Sequence, residues 1–258
     1  MKRTNMVKAF AVMAIMAAGA FFVGCANSAG GYTSKYAVGD IVLNDGTKVS
    51  YDVAKDYSDE ELTNLKAKAI AVIFKADTEN KKALGVGLIE EGGDPWCIKD
   101  ALAYNINISS IQCIKDGDEG NYTFSIDTDG SDNFAQIKEE LLKTNPSSDT
   151  DDESRYKAFY FAINYKNAVG SNVKNSVYED GWYLPTLAEL YDIYKEKTTV
   201  NGAITVCDKN QLGDSWYWSS SQHSYNEYAC SFNFATGAFY ENTKNHLNNV
   251  SIAIRAFD

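Results

Sequence analysis

The chain has 258 residues and carries 35 Asp and Glu against 24 Lys and Arg, a formal net charge of −11. Phosphate backbones are held by clustered basic surface, so this balance argues against nucleic acid as a partner. With 17 Tyr, 12 Phe, 4 Trp and only 3 Pro, the sequence supplies core for one large α+β or all-β unit without a marked linker.

Lys2, Arg3 and Lys8 precede an uncharged apolar run from Ala9 to Val23, and Phe22-Val23-Gly24-Cys25 ends it with small residues before a cysteine. A basic start, an apolar centre and a small-residue end form an export signal. The run is shorter than the ~20 residues that a bilayer-spanning helix needs. Its end looks like a bacterial lipobox, in which the cysteine thiol takes a diacylglycerol and becomes the first mature residue. Several acyl chains, at ~0.8 kcal/mol per buried CH₂, hold a protein on a membrane almost permanently. The expected organisation is a signal peptide at 1–24, a lipidated tether at 25–36 and one folded domain at 37–258, with Cys25 as the lipidation site. Asn27-Ser28-Ala29-Gly30-Gly31 suits a flexible tether. Ala26, by similarity to lipoprotein sorting rules, favours the outer membrane, so the expected location is the cell envelope with the folded part surface exposed.

Val38 to Thr47 reads as a strand entering a tight Asp45-Gly46 turn. Ser58 and Glu61 have capping-box spacing, which starts a short helix through about Lys68. Ile70 to Phe74 and Leu84 to Ile89 are apolar strands on either side of the polar Asp77 to Lys82, and together they make a sheet nucleus. Asp116 to Asn133 is rich in Asp and Gly and reads as loop. Its Asp127, Asp129, Ser131 and Asp132 imitate a calcium loop, but Asp132 stands where an EF-hand turn requires glycine, so no metal site is expected there.

Tyr156, Phe159, Tyr160 and Ile163 fall at i, i+3, i+4 and i+7, the spacing of one buried helical face. Leu187, Leu190, Tyr191 and Tyr194 repeat it behind a capping box of Thr186 and Glu189 that directly follows Pro185. After Cys25 the cysteines are Cys97, Cys113, Cys207 and Cys230. An exported chain meets an oxidising compartment, and Cys97 with Cys113 and Cys207 with Cys230 is the simplest of three pairings. Four buried thiols are the alternative, because a domain of this size needs no staple. There is no Cys-x-x-Cys, and the histidines are His223 and His246, so neither zinc nor a cofactor is expected.

From Trp216 onward the pattern has period two. Cys230, Phe232 and Phe234 share one face of a strand, with Ser231 and Asn233 on the other. Ala235-Thr236-Gly237 turns the chain, after which Phe239 is expected inward and Ala238, Tyr240 and Asn242 outward. Ile252 to Phe257 closes the sheet. Between them Glu241 to Asn249 is polar and rich in Asn, with Lys244 and His246 inside it.

Gly181-Trp182-Tyr183-Leu184-Pro185-Thr186-Leu187-Ala188-Glu189-Leu190, then Tyr217-Trp218-Ser219-Ser220-Ser221, Phe234-x-x-Gly237 and Ile254-Arg255-Ala256-Phe257 follow one another in a specific order. This resembles the family of bacterial exported domains named for the C-terminal domain of a collagen-like adhesin. The likeness extends back to Val38-Gly39-Asp40-Ile41 and Ala71-Val72-Ile73-Phe74. The resemblance implies an α+β, C-type-lectin-like fold. In that fold a mixed antiparallel sheet pairs the first and last strands, two helices pack beneath it, and an irregular C-terminal hairpin region presents the ligand. Fold alone does not fix activity. The Glu-Pro-Asn, Gln-Pro-Asp and Trp-Asn-Asp triplets of calcium lectins are absent, and the cysteine pair of formylglycine-forming enzymes is reduced to Cys230. Retroelement-diversified receptors of the same superfamily vary between a Trp-Ser-Ser-like stretch and the last strand. Here that window holds Asn249 and most of the residues of the expected site.

The function expected from these features is non-enzymatic binding of a protein or glycan ligand, by an adhesin or receptor held on the membrane through its lipid. A diversified receptor, an exported enzyme and a structural envelope component are the alternatives. The expected contact residues are Tyr225, Asn226, Tyr228, Ser231, Asn233, Tyr240, Asn242, His246 and Asn248, because tyrosine brings contact area at low entropy cost and Asn and Ser bring adaptable hydrogen bonds. No Gly-x-Ser-x-Gly, His-Glu-x-x-His or phosphate loop accompanies them. Serine cannot take the lipid, so Cys25→Ser is expected to abolish acylation and release the protein from the detergent phase. Mass spectrometry showing acyl groups still attached to the Cys25→Ser protein would overturn the lipobox reading.

Overall fold

The computed structural model describes residues 35–77, 82–144 and 152–258. The export signal, Cys25 and the tether as far as residue 34 lie outside them. The first elements follow the local chemistry. Strand β1 (Asp40–Leu43) runs through a turn at Gly46, φ +87°, into β2 (Lys48–Ser50). After the single turn α1 (Tyr51–Ala54), the helix α2 (Asp59–Lys68) opens on a complete capping box. In it the Ser58 backbone N–H donates to Glu61 Oε2 at 2.8 Å, and Ser58 Oγ accepts from the Glu61 N–H. Strands β3 (Ala69–Asp77) and β4 (Lys82–Gly92) form the expected antiparallel nucleus, paired from Ala71 with Gly87 to Asp77 with Lys82.

The remaining elements are β5 (Cys113–Asp116), β6 (Thr123–Ile126), α3 (Asn133–Thr144), α4 (Lys157–Ile163), α5 (Leu187–Lys195), α6 (Lys197–Val206), β7 (Trp216–Gln222), β8 (Tyr228–Asn233), β9 (Phe239–Thr243) and β10 (Val250–Phe257). Eight strands make one mixed sheet in the order β2-β1-β3-β4-β10-β7-β8-β9, and β5 and β6 form a separate hairpin. Among the described residues the one parallel contact is between β10 and β7, where Val250 pairs with Tyr217. The first and last strands therefore do not pair. The edges of β4 and β1 are taken differently: β4 uses its second edge along β10 from Gly92 to Ala83, and short β1 is enclosed by β2 and β3.

Helices cover both faces of the sheet. Residues of α1, α2, α5 and α6, such as Ala54, Leu65, Leu190 and Ile204, pack with Phe74, Tyr217, Phe232 and Ile252 on one side. Ile137 of α3 and Phe159 of α4 pack with Trp96, Trp182, Trp218 and Phe257 on the other. The expected pair of helices is thus six among the described residues. Along β10 the side chains alternate between the two cores, with Ile252 and Ile254 in one and Ala253 and Phe257 in the other.

Three further expectations are corrected. The loop expected from Asp116 to Asn133 contains β6, whose Thr123 to Ile126 pair with Asp116 to Cys113. The buried face of α4 is Ala158, Phe159 and Ala162, and Tyr160 is exposed. Tyr156 precedes the helix at φ −100°, ψ 68°, so helical spacing counted from it slips. Among the described residues the cysteines, Cys97, Cys113, Cys207 and Cys230, are buried free thiols, which is the alternative to the two expected disulfides. Cys97 sits in one core and Cys113 in the other, on opposite sides of the sheet, which rules out their expected disulfide. Burial pushes the thiols of Cys113, Cys207 and Cys230 up to about 12, so they remain protonated and unreactive.

Trp182 lies 4.4 Å from the Tyr165 ring and donates its indole N–H to the Tyr178 carbonyl at 2.7 Å; Phe234 lies 4.4 Å from the Tyr217 ring. Truncating either to alanine leaves a cavity in a closed core. Trp182→Ala and Phe234→Ala are each expected to destabilise the fold by ~3 to 5 kcal/mol, read from the denaturant midpoint.

Candidate functional site

The expected contact residues divide between two places on the C-terminal hairpin. The register pairs Ser231 with Tyr240 and Tyr228 with Thr243, so Tyr228 is out of phase with Ser231 and stands on the other face of β8. On the Ser231 side, Tyr240 is 56% exposed and meets Trp216 edge-on at 5.9 Å, and Asn242 Nδ2 donates to Ser231 Oγ at 2.9 Å. Asn233 adjoins them at the end of the strand. At the tip, Tyr225 is 68% exposed and its ring is 6.2 Å from that of Tyr228, with Asn226 exposed between them. His246 is half-buried and Asn248 exposed on the segment after β9.

Ser231 is a correction. It is fully buried, and its hydroxyl donates to the Tyr240 carbonyl at 3.1 Å while accepting from Asn242. It therefore joins β8 to β9 and cannot touch a ligand. Asn233 also has an internal task, since its Oδ1 accepts from the N–H groups of Ala235 and Thr236 at 2.8 and 3.0 Å and shapes the turn. His223, outside the expected set, orders the tip. Its Nδ1 accepts from the Tyr225 N–H at 3.3 Å, which leaves Nε2 to donate to Glu241 at 3.2 Å.

Behind these residues the Trp-Ser-Ser-Ser stretch of β7 is wholly internal. The Ser220 N–H donates to the Pro185 carbonyl at 2.7 Å, Ser221 Oγ accepts from the Leu187 N–H at 3.1 Å, and Ser219 Oγ donates to the Cys230 carbonyl at 2.7 Å. Ser220 and Ser221 thus fasten β7 to the start of α5, and Ser219 fastens it to β8. Lys244 is the residue that period counting missed. It is fully buried, with its ammonium donating to the carbonyls of Ala103 at 2.6 Å, Ile106 at 3.1 Å and Tyr104 at 3.4 Å, 5.0 Å over the Trp96 ring. Burial pushes its pKa down to about 8. The hold is backbone-made, and no partner of opposite charge marks it in the sequence.

A second buried charge site closes the other end of this frame. Glu189 Oε1 accepts from the Tyr183 hydroxyl at 2.8 Å, and Oε2 accepts from the N–H groups of Thr186 at 2.8 Å and Gly130 at 3.2 Å. It borders an open cleft of about 570 Å³ that Lys75 and Asp129 also line. Burial pushes the Glu189 carboxyl up to about 7, against the hydrogen bonds that favour its charged form. Asp127 is pushed up to about 6 by burial, although Asn133 Nδ2 donates to it at 2.7 Å. The neighbouring acids act on the chain itself: Asp129 Oδ1 accepts from the Ser131 N–H, and Asp132 Oδ1 from Gln136 Nε2. Among the described residues, no three His, Cys, Asp or Glu side chains converge on a metal-sized position.

Fold and site together define an α+β domain with a mixed eight-stranded sheet, covered on both faces and carrying exposed aromatic rings on its C-terminal edge hairpin. No family model matches the chain, and no curated protein matches it. The motifs of the resemblance are therefore not accompanied by a family assignment. Among solved structures the fold is similar to a fimbrial protein from Bacteroides ovatus, with a TM-score of 0.52 and 14% identity, over 86% of this chain and 48% of that one. This chain spans about half the length of that protein, and the likeness is one of fold.

A carboxyl with a raised folded-state pKa keeps its proton in the folded protein where the unfolded chain has lost it. Its stabilising contribution is full below the ordinary value of 4.5 and is lost as pH rises through about 7. Asp127 acts in the same direction between 3.8 and about 6. Glu189→Gln keeps an acceptor for Thr186 and Gly130 without a titrating proton. The fall in melting temperature between about pH 5 and pH 7.5 is expected to shrink in Glu189→Gln. An unchanged profile in differential scanning calorimetry would show that Glu189 is ionised throughout.

Proposed function

We propose that the protein is a non-enzymatic recognition module of the bacterial cell surface, anchored through Cys25, that binds a protein or glycan through its C-terminal hairpin. The observation that carries this reading is the exposure of Tyr225 and Tyr240 at the edge of the sheet, on either side of a β8 whose Ala229, Cys230, Ser231 and Phe232 are buried. Exposed rings on a rigid frame lose little entropy on binding, and they concentrate contact area. The fold likeness to a fimbrial protein supports an adhesive or structural role at the surface. The C-type-lectin-like reading is supported by the capped α5 and the hairpin segments fastened to it. The hydrogen bonds around Glu189 and the serines of β7 engage those groups inside the frame, which favours binding over catalysis.

The test uses the detergent-solubilised chain on a glycan and protein array, followed by truncation. If Tyr225 and Tyr240 anchor the interface, Tyr225→Ala and Tyr240→Ala each cost ~2 kcal/mol or more of binding, with little change in melting temperature. Tyr228, less exposed and on the other face of β8, is expected to matter for ligands held at the tip. Retained affinity in the Tyr225→Ala/Tyr240→Ala double variant, or its unfolding, would show the face to be misplaced.

A further inference from the structure

Helix α4 and its C-cap carry a second stripe, in which Phe161 is half-buried and packs against the core. Lys157, Tyr160, Phe161 and Asn164 stand at i, i+3, i+4 and i+7, and they line a cleft of about 350 Å³. Opposite them are Glu91 at the end of β4 and Asp94 in the loop that follows. Tyr160, expected in the core, is instead 41% exposed here. The volume lies within the roughly 300 to 1,000 Å³ of small-molecule sites.

The walls are fixed by hydrogen bonds to the backbone. The Trp218 indole N–H donates to the Asp94 carbonyl at 3.0 Å, and the Ala158 N–H donates to the Pro95 carbonyl at 3.2 Å, which holds the acidic loop against α4. Phe161 is backed edge-on by Tyr165 at 5.9 Å. Asn164 Nδ2 donates to the Tyr160 carbonyl at 3.1 Å, which holds its amide at the cleft wall. Among the described residues, no ion pair within 4.0 Å engages Glu91, Asp94 or Lys157, although Lys157 is close enough to Asp152 for their charges to interact.

We infer that this cleft between β4 and α4 is a binding site for a neutral pyranose sugar. The chemistry matches in three respects. The negative face of an aromatic ring attracts the C–H face of a pyranose, as it does other positive edges. Ionised carboxylates are acceptors only, suited to vicinal hydroxyls that donate in pairs, while Lys157 donates to a hydroxyl or ring oxygen. Two carboxylates outweigh one ammonium, so a uronic or other acidic sugar is repelled. The site stands apart from the C-terminal hairpin residues and does not rest on the function proposed for them.

Saturation-transfer NMR on the detergent-solubilised chain tests this with cellobiose, lactose and diacetylchitobiose, and with galacturonic acid as the charged control. At least one neutral disaccharide is expected to bind and galacturonic acid is not. Tyr160→Ala and the isosteric Asp94→Asn are each expected to weaken binding by roughly tenfold or more. Both should keep the parent melting temperature, and Tyr225→Ala/Tyr240→Ala should bind the sugar as the parent does. The inference is overturned if no neutral disaccharide shows transfer, if galacturonic acid binds equally, or if Asp94→Asn and Tyr160→Ala both retain affinity. Loss of sugar binding in the Tyr225→Ala/Tyr240→Ala variant alone would move the sugar to the hairpin and equally overturn it.

Discussion

The buried carboxyl of Glu189 is the contact on which the arrangement of this domain depends. It collects the Tyr183 hydroxyl, the Thr186 N–H and the Gly130 N–H, and so ties together the bridge to β10, the start of α5 and the loop before α3. Removing the acceptor would leave three buried donors without partners, each costing about 1 to 3 kcal/mol. Gly130 is required by the same closeness. A Cβ there would lie 2.6 Å from the Leu184 carbonyl oxygen and 2.9 Å from Ser220 Oγ. One side chain thus serves as helix cap, loop anchor and core acceptor. The Leu-Pro-Thr-Leu-Ala-Glu order is the sequence form of that junction.

What was legible in the sequence was what local chemistry decides. The capping boxes at Ser58 and Thr186, the β3–β4 nucleus and the turn at Gly46 all formed where spacing and turn residues placed them. What failed depended on partners distant in sequence. Period two reads one face of a strand as solvent, but this sheet is covered on both sides over much of its width, so Ser231 became an internal link. The position of β10 between β4 and β7 follows from the edges of strands far away in the chain. The helical stripe through Tyr156 failed for a smaller reason, a non-helical residue at the start of the count.

Lys244 shows the same limit from the polar side. In the sequence it is one cation in an Asn-rich stretch and reads as solvated. In the fold its ammonium bonds three carbonyls of the 102–106 segment from inside the core. Backbone carbonyls have no sequence signature, so no spacing rule points to it. The cost of burying its charge is reduced by those three bonds and by the Trp96 ring beneath it. In return the segment after β9 is held from within, and the Tyr104 hydroxyl fixes Asn245 beside it at 3.0 Å.

These buried polar ties also explain how two separate surfaces can be presented by one frame. Trp218 holds the Asp94 carbonyl on the cleft side, while the backbone of its strand carries the Ser219 and Ser220 contacts toward β8 and α5. Gly93, next to Asp94, donates to the Asn249 carbonyl at the end of the hairpin region. The walls of the α4 cleft and the root of the hairpin are therefore set by adjoining residues of the same strands, before any ligand arrives. Binding at a surface held in this way leaves little backbone ordering to be done. Under the proposed reading, affinity would depend on the few exposed rings and polar groups rather than on the size of the covered area.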